Sequence, residues 1–483
     1  MRLLNKPNGR IDLLKDLLIS KIWIWVILSF ILYIFYQIIL SQNILLALGI
    51  ASLPFFIILF FLIIAYSEKG FYPVYISHFI LLSINSYLDI KLGGATVLIT
   101  LAVFMLIIVK GIYNKIEWKH AINPMLMTYS IWTAYCILEI GNPNHVQEAW
   151  NVSITQYAVY PLVCAILVPI SIKNKTHIHW LIVIWSVFVL FATFKGYWQK
   201  NHGFNDKELY FLYELGGAKT HIIWSGIRFF SVFSDAANYG VHMGMAIVGF
   251  GISAIYSKNL LLKIYYLLIM IAATYGMFIS GTRAAIAVPL AGIFLFTLLA
   301  GNLRIFSLGA IVGLGIFIFF NFTTIGEGNN SIRRMRTAFN PTEDASYQVR
   351  KANQERMKIL MESRPFGYGI GLGGKAEKFH PRDLMPYPPD SWMVNVWTDT
   401  GIIGLTIYIL LHCFLFVYCS WIILFKIKDL RLKGLLTAWL CVCFGYFVAA
   451  FANDVMQYPN SIIVYTGFAL CVTGPLLSNK VSK

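Results

Sequence analysis

The residues best equipped for chemistry begin in "PYPPDSWMVNVWTDTGIIGL", Pro386 to Leu405. A proline-broken loop ends there in a carboxylate, Asp390, and passes within a few residues into an apolar run that continues to Phe425. Such a carboxylate can take a proton from a hydroxyl, hold a sugar by hydrogen bonds, or be a plain loop residue. The preceding segment, 322–393, is rich in cations: Arg333, Arg334, Arg336, Arg350, Lys351, Arg356, Lys358, Arg364, Lys375, Lys378 and Arg382. Arginine presents a planar fork of donors that matches phosphate oxygens, and it stays charged at any working pH. Two more arginines mark the edges of apolar runs, Arg228 in "SGIRFFSVFSDAANYG" and Arg283 in "SGTRAAIAVP". A cation at an apolar boundary is costly unless it snorkels or is paired, so each is a site candidate, with an interfacial anchor as the alternative.

The elements that must position these groups follow from composition. Of the 483 residues 58% are hydrophobic and only 12% charged, about half the charge of a soluble domain. The expectation is an all-α polytopic membrane protein. Apolar windows long enough to cross about 30 Å of hydrocarbon fall at 22–41, 44–66, 72–88, 95–112, 121–140, 154–172, 177–197, 238–256, 264–280, 284–300, 305–321, 394–425, 434–453 and 460–478. This predicts about 14 transmembrane helices. No strand is expected, because the signal lacks a barrel's alternation. The chain divides accordingly into 1–321 with spans 1–11, an exterior loop 322–393, and 394–483 with the last three spans.

Charge sets the orientation. With the amino terminus inside, Arg2, Lys6, Arg10, Lys15 and Lys21, then Lys69, then Lys110, Lys115 and Lys119 share one side. Lys173 and Lys175, Lys258 and Lys263, Arg304, the run Lys426, Lys428, Arg431 and Lys433, and Lys480 and Lys483 join them there. Short cytoplasmic loops carry this excess, so both termini are expected inside. Segments 141–153, 198–237 and 322–393 are then exterior, and Arg228, Arg283, the loop arginines and Asp390 converge on one face. The last of these segments breaks the positive-inside tendency; a solvated basic loop is one account of it and an anion site the other.

Several classes drop out. The net charge of +16 is spread over short loops that meet anionic headgroups, which excludes nucleic acid as the partner and leaves membrane lipids. All seven cysteines, Cys136, Cys164, Cys413, Cys419, Cys441, Cys443 and Cys471, fall inside proposed spans, so no disulfide frame is implied. The first apolar run is too long for a signal peptide and lacks a small-residue cleavage site. The exterior loops hold no Asp-x-Asp pair or histidine cluster, so neither a metal nor a cofactor is expected.

Inside the exterior loop, "TEDASYQVRKANQERMKILMESRPFG" reads as a helix, with Asp344 or Ser346 at its start and Pro365 as its stop. "GYGIGLGG", Gly367 to Gly374, follows as a turn where a backbone could approach a ligand closely, a weak signal by itself because it follows no strand of a nucleotide-binding unit. His380 is a second candidate base. His145, His202 and His221 could line a sugar path, and Trp392 and Trp397 could stack on sugar rings or belong to an interfacial belt.

Four pieces, in order, resemble the O-antigen ligase and polymerase family of bacterial inner-membrane glycosyltransferases. They are the Arg-Phe-x-Ser-x-Phe then Asn segment from Arg228 to Asn238, Ser-Gly-x-Arg at Ser280 to Arg283, the loop pattern from Arg350 through "RPFGYGIGLG", and "DSWMVNVWTDTGIIGL". They cover roughly the last half of the chain. One departure stands out. Where the family carries His-Asn, then an acidic residue and Gly-x-x-Gly, this chain has Asp390-Ser391, then Asp399 and Gly401 to Gly404.

The resemblance implies transfer of a glycan from a polyprenyl-diphosphate-linked donor to an acceptor hydroxyl on a glycan, a lipid A-core or a protein. It implies a bacterial inner-membrane location with the site on the periplasmic face. Catalytic roles then fall to Asp390, Arg283 and Arg228, and substrate binding to Arg350, Arg356, Arg364, Arg336, His380 and Trp392. The histidine of the family is taken as the base, so Asp390 replaces it or binds the acceptor sugar. A polysaccharide flippase would also want cations facing a lipid diphosphate, but in a cavity reachable from both sides; a structural subunit would leave the basic exterior loop unexplained.

Overall fold

A computed structural model describes residues 70–87, 93–113, 116–223, 226–339, 345–373 and 384–479, with isolated positions before residue 58. Helices dominate. In chain order they are α1 (Phe71–Asn85), α2 (Gly94–Tyr113), α3 (Pro124–Leu138), α4 (Gln147–Ser171), α5 (Lys175–His202), α6 (Asp206–Tyr213), α7 (Ala236–Tyr256), α8 (Leu260–Ile279) and α9 (Arg283–Ala300). They continue with α10 (Leu303–Phe322), α11 (Asn330–Arg336), α12 (Ala345–Met361), α13 (Trp392–Lys426), α14 (Leu430–Ala450) and α15 (Asn460–Ser478). The protein is an all-α polytopic membrane protein. Its one sheet among the described residues is a two-residue pairing of β1 (Ile222–Ile223) with β2 (Gly226–Ile227), antiparallel, in the turn before α7.

The expected count of 14 spans is corrected to ten among the described residues. Windows 22–41 and 44–66, isolated positions apart, lie outside those residues. Windows 72–88 and 121–140 correspond to α1 and α3, each 15 residues long, about 22 Å of helix and short of a full crossing. For α3 the bounds have a local cause. Asn123 accepts from the N–H of Leu126 at 3.0 Å, Pro124 occupies the first helical position, and a 3₁₀ turn at Glu139–Gly141 closes the end. An apolar window does not register such caps.

The same device starts most spans. Asn174 caps α5, Asp235 caps α7, Asn259 caps α8, Asn302 caps α10, Ser391 caps α13 and Asp429 caps α14. α7, α14 and α15 form the buried centre of the bundle, with α2 and α10 at its periphery. Asp429 and the segment after Ala450 sit at opposite ends of α14. At the Asp429 end that residue pairs with Lys175; at the other end the arginines gather.

One span is not regular. α13 is interrupted at Gly401, whose φ of 68° lies in the left-handed region. A Cβ at that position would run into the carbonyl of Pro365, so a glycine is needed for both conformation and space. The segment between α5 and α7 is anchored as firmly. Glu208 is buried and pairs with Lys195 at 2.8 Å, while Gln199 brackets Ser231, accepting from its N–H at 2.8 Å and donating to its carbonyl at 2.9 Å.

Candidate active site

A cavity of about 1520 Å³ opens where the amino-terminal ends of α7 and α9, the short helix α11, the start of α12 and the 451–457 turn meet. Seven cations line it: Lys219, Arg228, Arg283, Arg333, Arg334, Arg336 and Arg350. Four carboxylates face them: Asp235, Glu327, Asp390 and Asp454. Cations from four separate segments held this close repel one another, so the arrangement favours an anion bound among them.

Local structure explains why the arginines point inward. Arg228 receives its place from the turn, where its backbone N–H donates to the carbonyl of His221 at 2.8 Å. The guanidinium donates to the Thr220 carbonyl and to Thr282 Oγ1, both at 2.9 Å, while its buried Nε has no partner among the described residues. Burial, with Arg283 and Arg350 near by, pulls its pKa down to about 10 against the opposing pull of Asp235, so it remains charged near neutrality. The Ser280–Arg283 turn serves two arginines at once. Thr282 Oγ1 is fixed by donating to the Ala236 carbonyl at 2.7 Å and accepts from Arg228; the Gly281 carbonyl accepts from Arg334 Nε. Arg283 itself donates to Thr337 Oγ1 at 3.3 Å. α11 turns Arg334 and Arg336 toward the cavity because Met335 between them is fully buried with Ile286 and Phe320.

On the opposite wall, Arg350 donates to the Ala452 carbonyl at 2.7 Å, and its Nε stands 3.9 Å from Asp390 Oδ2. Burial raises the Asp390 pKa, and Arg350 holds it back. Of the two opposing influences desolvation is the larger. Asp235 accepts from the N–H groups of Ala237 and Asn238, each at 2.8 Å, which commits one oxygen to the start of α7. Asp454 and Gln457 complete this side.

The structure therefore brings together Arg228, Arg283, Arg336, Arg350 and Asp390. It places Arg356, Arg364 and Trp392 elsewhere. Arg356 is exposed and lies 5.7 Å over the Tyr387 ring, Arg364 lies 4.2 Å over Tyr368, and Trp392 is buried, donating to Tyr408 Oη at 2.9 Å. His380 lies outside the described residues. His221 reaches the cavity wall, but its ring is buried between the Gly217 carbonyl and the Ala236 N–H, and burial lowers its pKa. The sequence reading counts Arg334 only among the loop cations and does not name Thr282 or Asp454. For Asp454 a signal existed, since the span pattern puts it in the turn between the last two spans, the side on which the arginines are expected.

The glycine run does approach an anion, and the anion is the protein's own. Asp399, 2% exposed, accepts at Oδ2 from the Gly371 N–H at 3.0 Å and from Tyr157 Oη at 3.0 Å, and at Oδ1 from the Gly373 N–H at 2.8 Å. Among the described residues no three His, Cys, Asp or Glu side chains gather in a way that could hold a metal ion.

Residues 267–409 match the family model described as O-antigen ligase, and the match supports the O-antigen ligase and polymerase family for this chain. The matched stretch runs from within α8 to within α13 and includes Arg283, Arg334, Arg350 and Asp390; Arg228 and Asp454 lie outside it. A comparison with curated proteins returns no match.

Proposed function

We propose that the cavity is the site of glycan transfer from a polyprenyl-diphosphate-linked donor to an acceptor hydroxyl, on the periplasmic side of a bacterial inner membrane. Transfer of the O-antigen ligase or polymerase type is what the family match supports in general. The observation that carries the finer reading is the meeting of Arg228, Arg283, Arg334, Arg336 and Arg350 opposite Asp390 in one cavity. A glycan joined through C1 to a diphosphate is already activated, so the protein has three tasks. It neutralises charge developing on the leaving diphosphate, holds the acceptor oxygen in line behind C1, and takes the acceptor's proton.

The arginines on α9, α11 and the 228 turn suit the first task. The acceptor oxygen forms its bond to C1 as the bond from C1 to the diphosphate oxygen breaks, and the electron pair departs on the diphosphate. The acceptor's proton passes to the Asp390 carboxylate, whose pKa is raised by burial, which makes it a better base than a solvated aspartate. The positive-inside pattern, with Lys175 and Asp429 at the opposite end of the bundle, supports the periplasmic placement of this cavity.

Purified protein incubated with lipid-linked oligosaccharide and candidate acceptors tests the reading. Arg228→Ala and Arg283→Ala are each expected to abolish transfer while the protein still reaches the membrane. Lysine at either position restores only part of it, because an ammonium lacks the bidentate fork. Full activity in both alanine variants would leave these residues as interfacial anchors.

A further inference from the structure

We propose that Asp399 is a positioning residue: the glycine run grips its buried carboxylate, and this grip fixes α12 against the start of α13 so that Arg350 and Asp390 face each other across the cavity. The inference rests on the function proposed for that cavity. Buried carboxylates are costly unless their oxygens are satisfied. Here satisfaction comes from the Gly371 and Gly373 N–H groups and from Tyr157. Backbone bonds flank it, from Tyr368 N–H to the Thr398 carbonyl at 2.8 Å and from Gly369 N–H to the Asp399 carbonyl at 3.0 Å. At Gly373 a Cβ would stand 2.5 Å from Asp399 Oδ1, so the approach needs a residue without one. Donors converging on one point require a group that only accepts. An apolar residue of similar size would pack there yet leave the amides unsatisfied.

The grip has leverage. Met357 and Met361 of α12 pack with Tyr368 and Leu372 of the glycine run, so helix and run move together. Arg350 lies eleven residues before Met361, about 16 Å along the helix. A tilt of about 10° at the run would carry Arg350 through about 3 Å, more than either of its contacts tolerates. Those contacts are with the Ala452 carbonyl and Asp390. The other arm is fixed from the same centre. Tyr157, which donates to Asp399, packs 5.0 Å from the Trp392 ring, and Trp392 N–H donates to the Asn453 carbonyl at 3.2 Å. Both arms thus end on neighbouring carbonyls of the 452–453 turn.

The test uses the full chain, with amide hydrogen exchange in detergent and turnover measured on lipid-linked glycan in membranes. Asp399→Asn keeps size and loses the second acceptor, so exchange over 367–373 is expected to rise while α14 and α15 are unchanged. Turnover falls about tenfold, the equivalent of one charge-assisted hydrogen bond. Arg350→Ala also lowers turnover, and because both changes disturb the same facing of Arg350 and Asp390 the double variant loses less than the product of the two single losses. Multiplied losses in the double variant, or faster exchange with normal turnover, would overturn the proposal. Should Asp399→Asn fail to reach the membrane, Tyr157→Phe removes one donor and keeps the carboxylate; faster 367–373 exchange with reduced turnover supports the grip, and no change in either sinks it. Normal turnover in Arg350→Ala refutes the cavity reading instead, which separates that failure from a failure of the grip, seen as unchanged exchange in Asp399→Asn.

Discussion

Asp390 and Asp399 stand nine residues apart on one loop-to-helix junction, and their surroundings are opposite. Asp399 is sealed by two amides and a phenol. Asp390 is about 30% exposed at its side chain, with a single guanidinium 3.9 Å away. The difference teaches where the protein spends a negative charge on its own architecture and where it leaves one for a substrate. A fully buried carboxylate held by three donors is out of a substrate's reach, while one left half-open beside a cation can take a proton from a bound hydroxyl. The glycine run belongs to the first kind of region and the arginine cavity to the second.

The comparison breaks most sharply at Asp390. Asn keeps the size and much of the hydrogen bonding but accepts no proton, so Asp390→Asn is expected to lower turnover on the order of a hundredfold or more if Asp390 is the base. An acceptor-sugar ligand would instead lose affinity, recoverable at high acceptor concentration. Asp390→His, which installs the family's usual residue, should retain measurable transfer. Near-normal turnover in the Asn variant would leave Asp390 a plain loop residue.

A smaller effect sharpens the same contrast through pH. Asp390 must be deprotonated to act as base. Burial raises its pKa and Arg350 restrains that rise, so removing the guanidinium lets the pKa climb further. The acid limb of turnover in Arg350→Ala is therefore expected to move toward higher pH, with activity lost earlier as the solution is acidified. A limb that stays in place, or moves the other way, would mean that Asp390 is not the titrating group.

Much of this was legible in the sequence, and the failures have physical causes. Apolar length located the long spans because a crossing needs a continuous hydrocarbon-compatible run. It overstated α1 and α3, whose ends depend on caps and turns rather than on apolarity. The gathering of Arg228, Arg283, Arg336, Arg350 and Asp390 on one face followed from counting crossings. Neither charge nor the family resemblance says which way a loop arginine turns, and Arg356 and Arg364 lie over Tyr387 and Tyr368 rather than in the cavity. The partner of the glycine run was out of reach, since Gly373 and Asp399 meet only when the loop folds back across the start of α13.

Those two arginines carry the smallest expected effect. If every cation of the 322–393 segment served the substrate, Arg356→Ala and Arg364→Ala would damage turnover as deeply as changes at Arg228. Their guanidinium groups instead lie over Tyr387 and Tyr368 at 5.7 and 4.2 Å, contacts worth about 0.5–1 kcal/mol at an open site. Losing one should cost a few-fold in turnover at most, through slight loosening of the loop beside the glycine run. Arg364→Ala is expected to be the worse of the two, because Tyr368 is buried and its N–H donates to the Thr398 carbonyl, next to the Asp399 grip. A loss comparable with Arg228→Ala would instead bring the Arg356 or Arg364 side chain into the substrate-binding set and erase the boundary between the two regions.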